Sequence, residues 1–147
     1  KEAFNEAINC SNKTAMSLSD KFCVDRHKKN FLWLVQNKLD ITFANEQEIL
    51  ELIDAKNFDD VISFGKKFNK TLVITRSDKG SIAISRGEVT ECKSQKNLKI
   101  LDLTGAGDLF AAGFLHGYIK NLSIKESLNK GTEMASKIIQ QIGARIN

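Results

Sequence analysis

Hydrophobic period changes repeatedly along this chain, and that alternation limits the fold more than any other feature. Strand-like stretches, TAMSLS at 14–19, DITFA at 40–44 and TLVIT at 71–75, are separated by segments whose apolar residues recur at helical spacing. After Asp20, residues 24–38 set Phe31, Leu34 and Val35, with Leu39 just beyond, on one face and charges on the other. Asn45 stands where a helix N-cap belongs, ahead of EQEILELIDA, and FDDVISFGKKF at 58–68 is a further amphipathic helix. KEAFNEAINCS at the start reads as the interior of a helix, which predicts that the chain is part of a longer polypeptide. Residues 71–94 contain two strands about a turn at Ser77–Gly80 and a third strand after Arg86–Gly87. KILDL at 99–103 reads as a strand that passes through a glycine turn into a buried helix, and residues 123–143 read as a closing amphipathic helix. Strands alternating with helices predict a layered α/β sheet, with the hairpin region as an antiparallel addition. In such sheets ligands bind at the carboxyl ends of strands, where Ser19–Asp20, Asn45, Thr75–Gly80 and Asp102–Asp108 fall.

With 147 residues, no proline, no repeat and no low-complexity tract, the chain has the size of one domain without an internal linker. Its 41% hydrophobic and 27% charged residues are those of a globular protein. The longest apolar run, Leu109–Leu115, is interrupted by Gly113 and falls far short of the roughly 20 residues a membrane helix needs. Cys10, Cys23 and Cys92 are odd in number, far apart and without CxxC spacing, so they read as free thiols in a reducing cytoplasm. His27 and His116 are too isolated to mark a metal site, and His116 reads as a packed helix residue. A net charge of +4 and a pI near 9.0 raise the question of nucleic acid. The basic residues, however, come singly or in pairs such as Lys28–Lys29 and Lys66–Lys67, with no interleaved aromatics, and describe a solvated surface.

The chemistry concentrates in TGAGD at 104–108. Between a strand and a helix it presents free backbone N–H groups at a positive helix terminus, which is an anion site. Gly105 and Gly107 let phosphate oxygens approach the backbone. The familiar phosphate loops do not fit: Asp108 stands where a P-loop lysine would be, and Phe110 where the dinucleotide fingerprint requires glycine or alanine. An aspartate beside an anion hole repels phosphate unless it has work there. Transfer of a phosphoryl group to a hydroxyl supplies it, because the carboxylate accepts the hydroxyl proton while the N–H groups hold the transferring charge. The plainer alternative is that Asp108 complements the helix dipole and the glycines make a tight turn.

DLTGAGD at 102–108 closely resembles the D-T-x-G-A-G-D signature of the ribokinase-like (PfkB) carbohydrate kinases, and the resemblance continues through LFAAGFLHGY. LSDKFCVDRHKKNF and ITFANEQEI are similar to the middle of the adenosine-kinase-like branch of that family. LVITRSDKGS resembles its nucleotide strand and turn, and GTEMASKIIQQIGAR its closing helix. The resemblance implies a ribokinase-like, Rossmann-like α/β/α sheet over 1–147, lacking the N-terminal strands and β-lid of the family. It also implies transfer of the γ-phosphate of ATP to a hydroxyl of a sugar or nucleoside in the cytoplasm, with Mg²⁺, no nucleic-acid or membrane partner, and a homodimer formed through that lid.

Residue by residue, the resemblance makes Asp108 the catalytic base and the backbone of Gly105, Ala106 and Gly107 the anion hole. Asn45 and Glu48 match the N-x-x-E motif that helps hold Mg²⁺ and the phosphates, partly through water; taken alone, the pair also reads as a capping box. Thr75, Ser77, Lys79 and Gly80 would approach the ATP phosphates and ribose, with Thr104 also on the nucleotide, and Gly131 to Ala135 would form part of the adenine groove. Asp102 and nearby carbonyls would bind K⁺. Two positions depart from the pattern: Leu103 replaces a threonine, and Ser77 stands where relatives often carry glycine. The N-terminal half that supplies most sugar contacts has no match here, so the 147-residue chain by itself is expected to be inactive. The alternative is a nucleotide-binding module without turnover.

Overall fold

A computed structural model describes residues 2–145. The elements follow the alternation of the sequence: α1 (Glu2–Cys10), β1 (Ala15–Ser17), α2 (Lys21–Asn37), β2 (Ile41–Asn45), α3 (Glu46–Leu52), α4 (Phe58–Lys66), β3 (Thr71–Thr75), β4 (Ser81–Ser85), β5 (Glu88–Cys92), α5 (Ala106–Ile119) and α6 (Ile124–Ile138). The strands lie in the order β1-β2-β3-β4-β5. β1 and β2 run parallel, with Met16 opposite Thr42, whereas the short links after β3 and β4 allow only antiparallel pairing. Arg86 and Gly87, at φ 52° and 81°, make the primed turn that suits a two-residue hairpin.

The chain divides into two compact units. The first, residues 1–74 and 84–89, holds α1 to α4 with β1, β2 and most of β3. Its core is Leu18, Val24, Val35, Leu39, Ile41, Ile49, Leu52, Val61 and Ile74. Caps are local: the Asp20 carboxylate accepts from Cys23 N at 2.8 Å and starts α2, and Asn57 with Asp60 forms a capping box on α4.

The second unit, residues 75–83 and 90–147, is built on α5 packed against α6. Small residues set that approach. A Cβ on Gly113 would lie 2.6 Å from Lys130 O, and one on Gly117 would lie 2.8 Å from Ser127 Oγ. A Cβ on Gly131 would lie 2.8 Å from Phe110 O. Phe110 and Phe114 on α5 and Leu128 and Ile138 on α6 are the buried large apolar side chains of the two helices. Gly113→Ala is therefore expected to destabilise the protein, because overpacking costs about 1–3 kcal/mol and here the obstacle is backbone, which outweighs the roughly 1 kcal/mol an alanine returns in helix propensity. Thermal unfolding of the variant checks this, with a midpoint several degrees lower as the expected result.

Three sequence expectations are corrected. KILDL forms no strand; Leu101 N and Asp102 N instead donate to Ile139 O at 2.8 and 3.3 Å, and Ile100, Leu101 and Leu103 stay exposed. The closing helix ends at Ile138, where Gln140 N and Gln141 N close tighter turns on Lys137 O and Ile138 O; Ile142, though at helical spacing, is exposed, and the chain bends through Gly143 at φ 91°. His116 is exposed on α5 rather than packed. The three cysteines are free thiols, and Cys92 is buried with its Sγ donating to Asn129 Oδ1 at 3.0 Å.

Candidate active site

Gly105 is the N-cap of α5 with φ 78°, and no side chain caps the helix. Two constraints require glycine there: the left-handed backbone, and Ala144, whose Cβ would stand 3.0 Å from a Cβ at this position. Ala106 N–H, expected in the anion hole, donates instead to Leu103 O at 3.2 Å, because the turn closes on that carbonyl. The departure from threonine at 103 thus leaves the turn intact, since the backbone and not the side chain serves it. The N–H groups of Gly105, Gly107 and Asp108 have no hydrogen-bond acceptor among the described residues. They are the donors open to an anion at a positive helix end.

Gly107 has a different reason for being glycine. It sits in the first turn of α5 at an ordinary helical φ, and a Cβ built on it would meet nothing within 4 Å. Neither packing nor strain explains it. Asp108 follows in the same turn, exposed, with no hydrogen bond or ion pair among the described residues. Its carboxylate makes no capping bond, and its place in the first turn is also the one from which it would complement the helix dipole.

Asp102 and Thr104 form the frame of the turn. Asp102 Oδ1 accepts from Thr104 N at 2.9 Å and Thr104 Oγ1 at 2.7 Å, and Oδ2 accepts from Gly143 N at 2.9 Å. These bonds, that of Gly143 foremost, hold the carboxyl at a pKa of about 2. The frame is thus present above the usual carboxylate range and is lost only as pH falls from about 4 through about 2. Both oxygens of Asp102, the residue expected at K⁺, have donors, with a lone pair left on Oδ2, and the Thr104 hydroxyl, expected on the nucleotide, donates to Asp102 and keeps its acceptor lone pairs.

The turn after β3 is shaped by two backbone features. Ser77 has φ 52°, the conformation for which glycine is favoured, so the serine sits at some strain in a glycine position. Gly80, at φ 91° and ψ −138°, passes so close to β5 that a Cβ would lie 2.1 Å from Cys92 O. Arg76 N donates to Gly80 O at 2.8 Å, and Ser94 Oγ to Asp78 O at 2.6 Å, which ties the turn to the chain leaving β5. Thr75 is half-buried at its start and Lys79 exposed at its tip. Gly131 is buried against Phe110 between α5 and α6, and Ala135 is half-buried one turn on.

In the first unit Asn45 and Glu48 bond to each other. Asn45 Oδ1 accepts from Glu48 N, while Glu48 Oε2 and Oε1 accept from Asn45 N and Nδ2, all at 2.8 Å. The capping box is therefore real, yet it does not exhaust the pair. Glu48 is buried, no Lys or Arg pairs with it among the described residues, and burial, with Asp20 adding, pushes its carboxyl above the ordinary range. An uncompensated buried carboxylate with a lone pair left on each oxygen suits a hard cation. No group of three or more His, Cys, Asp or Glu among the described residues could cage a metal, so these residues fit Mg²⁺ only in company with phosphates and water.

Sequence reasoning missed Gly143 and Ala144, which were absorbed into the closing helix. A glycine beyond a polar QQ pair was the available signal, since glycine commonly follows a helix end.

Comparison with known proteins identifies the family. The pfkB family carbohydrate kinase pattern matches residues 1–147. Cytidine kinase of Thermococcus kodakarensis is 31% identical over 119 residues, 79% of this chain and 42% of that protein. The crystal structure of adenosine kinase from Sinorhizobium meliloti superposes with a TM-score of 0.91 at 39% identity, covering 98% of this chain and 44% of that one. A probable sugar kinase from Rhizobium etli CFN 42 gives 0.91 at 36%, with the same coverage. The chain thus spans less than half the length of these relatives. From the match over its whole length, the glycine turn and the ribokinase-like α/β fold, the chain belongs to the pfkB family of carbohydrate kinases.

Proposed function

We propose that the protein to which this chain belongs transfers the γ-phosphate of ATP to a hydroxyl of a nucleoside or sugar. The observation that carries the reading is the start of α5, where open N–H groups of Gly105, Gly107 and Asp108 stand in one helical turn with the Asp108 carboxylate, which has no partner among the described residues. In the reaction the acceptor oxygen forms a bond to Pγ as the bond from Pγ to the β-bridging oxygen breaks. The acceptor proton passes to an Asp108 carboxylate oxygen, and the electron pair leaves with ADP. The N–H groups of Gly105, Gly107 and Asp108 hold charge that develops on the transferring phosphoryl oxygens. Thr75–Gly80 supports the nucleotide, and Asn45 with Glu48 would hold Mg²⁺ with the phosphates. When bound, Mg²⁺ supplies neutralisation of phosphate charge.

The named relatives include cytidine and adenosine kinases, which favours a nucleoside acceptor. The test is a phosphotransfer assay of the full-length protein with ATP and separate nucleosides and sugars; phosphorylation of none of them, with ATP bound, would leave the module without turnover as the better reading. Because the chain covers 42–44% of its relatives, residues 1–147 alone are expected to bind ATP weakly and phosphorylate nothing.

The raised Glu48 carboxyl gives a pH prediction. Ionised Glu48 costs stability at neutral pH, and that cost is relieved either by protonation as pH falls through its raised pKa or by a bound cation. The KM for Mg·ATP is therefore expected to rise as pH falls through that range, and Glu48→Gln should flatten the dependence. A KM profile of both proteins between pH 5 and 8 checks it.

A further inference from the structure

We infer that residues 139–144, after α6, form a strap that positions the glycine turn, and that Asp102 acts through this strap as a positioning residue. The strap leaves α6 at Ile139, whose carbonyl accepts from Leu101 N and Asp102 N. Four residues on, Gly143 N returns to Asp102 Oδ2 at 2.9 Å, and Ala144 then lies against Gly105. One carboxylate therefore joins the strap to Thr104, the residue in front of the left-handed Gly105. Gly143 has φ 91° and nothing within 4 Å of where its Cβ would be, so its backbone conformation, which aims the N–H at Asp102, is what calls for glycine. No side chain caps α5. Its first turn is held from outside, by the strap, and the cap position stays clear.

Hydrogen-bond donors act on a developing charge only when they are already in place, so loosening their support weakens the site without removing any donor. The strap holds the turn at both ends: Asp102 fixes Thr104, and Ala144 fixes the height of Gly105. The kinetic part of this inference rests on the phosphotransferase reading; the structural part does not.

The test uses the full-length protein in three forms: Asp102→Asn, a chain ending at Gln141, and the two combined. Asp102→Asn keeps the shape but turns one acceptor into a donor that faces the N–H of Gly143 or of Thr104. Amide hydrogen exchange at Ala106 and Leu109, whose N–H groups are bonded to Leu103 O and Gly105 O, is expected to quicken about tenfold or more in each form, with Phe114 in the middle of α5 unchanged. The KM for ATP should rise by a similar factor while the KM for the acceptor stays constant, since a small misplacement of supporting groups is enough to cost that much. Because both changes remove the bond between Asp102 and Gly143, the combined effect should be less than the sum of the two, with truncation the larger since it also takes Ala144 away from Gly105. Unchanged exchange in the turn would overturn the inference, as would additive effects or equal loosening at Phe114. Recovery of the Asp102→Asn enzyme by added K⁺ would also overturn it, since the carboxylate would then be a cation ligand. The exchange arm needs no turnover, so absence of phosphotransfer in the wild type would sink the proposed function and leave the strap standing.

Discussion

Asp108→Asn in the full-length protein is expected to lower kcat by roughly 10²–10⁴, the usual worth of a positioned general base. ATP affinity should be nearly unchanged. The asparagine keeps the shape of the side chain but cannot accept the hydroxyl proton. All three open N–H groups remain, because Asp108 contributes its own through the backbone. The side chain is exposed and bonds to nothing among the described residues, so no support is withdrawn from α5. Loss of a negative charge next to the phosphates, moreover, favours ATP. Rapid-mix or steady-state kinetics beside a direct binding measurement separate the two quantities; a kcat near wild type would remove Asp108 from the chemistry.

Gly107→Ala is expected to divide stability from activity. A Cβ at this position meets nothing within 4 Å, and an alanine in place of a helical glycine stabilises by roughly 0.5–1 kcal/mol, so the variant should melt slightly higher. The same methyl group would stand in the first turn of α5, beside the N–H groups that the phosphate oxygens are proposed to reach. Obstructing one such donor costs about 10²–10³ in turnover, and that is the expected fall in kcat/KM. Gly105→Ala is the contrast: it is strained at φ 78° and crowded by Ala144, and so should lose stability as well. Equal activity in Gly107→Ala and wild type would mean that the open space has no ligand.

The layered fold was legible because its signals are local and periodic. Phe31, Leu34 and Val35 mark one helix face, and Asn45 carries its cap in the sequence itself. The glycine turn was legible for the same reason, since its chemistry lies in five consecutive residues. What was not legible depends on residues far apart in the chain. KILDL has the composition of a strand, but its backbone bonds go to Ile139, some forty residues later, and composition carries no record of that partner. Ala106 belongs to the motif by sequence, yet its N–H is taken by Leu103 O, a matter of turn closure. Gly113 and Gly117 look like weaknesses in an apolar helix until α6 lies against them. At Asn45 and Glu48 the capping reading holds, since its bonds are formed, and the burial of Glu48 is compatible with the proposed cation role beside it.

Amide shifts test the anion hole most directly. The full-length protein, labelled with ¹⁵N, would be titrated with Mg²⁺ and a non-hydrolysable ATP analogue in the presence of acceptor. The amides of Gly105, Gly107 and Asp108 should move downfield together as hydrogen bonds to phosphate form, while Ala106, bonded to Leu103 O, moves least. Saturable nucleotide binding with those three amides unmoved would contradict the assignment of the turn as the phosphoryl site.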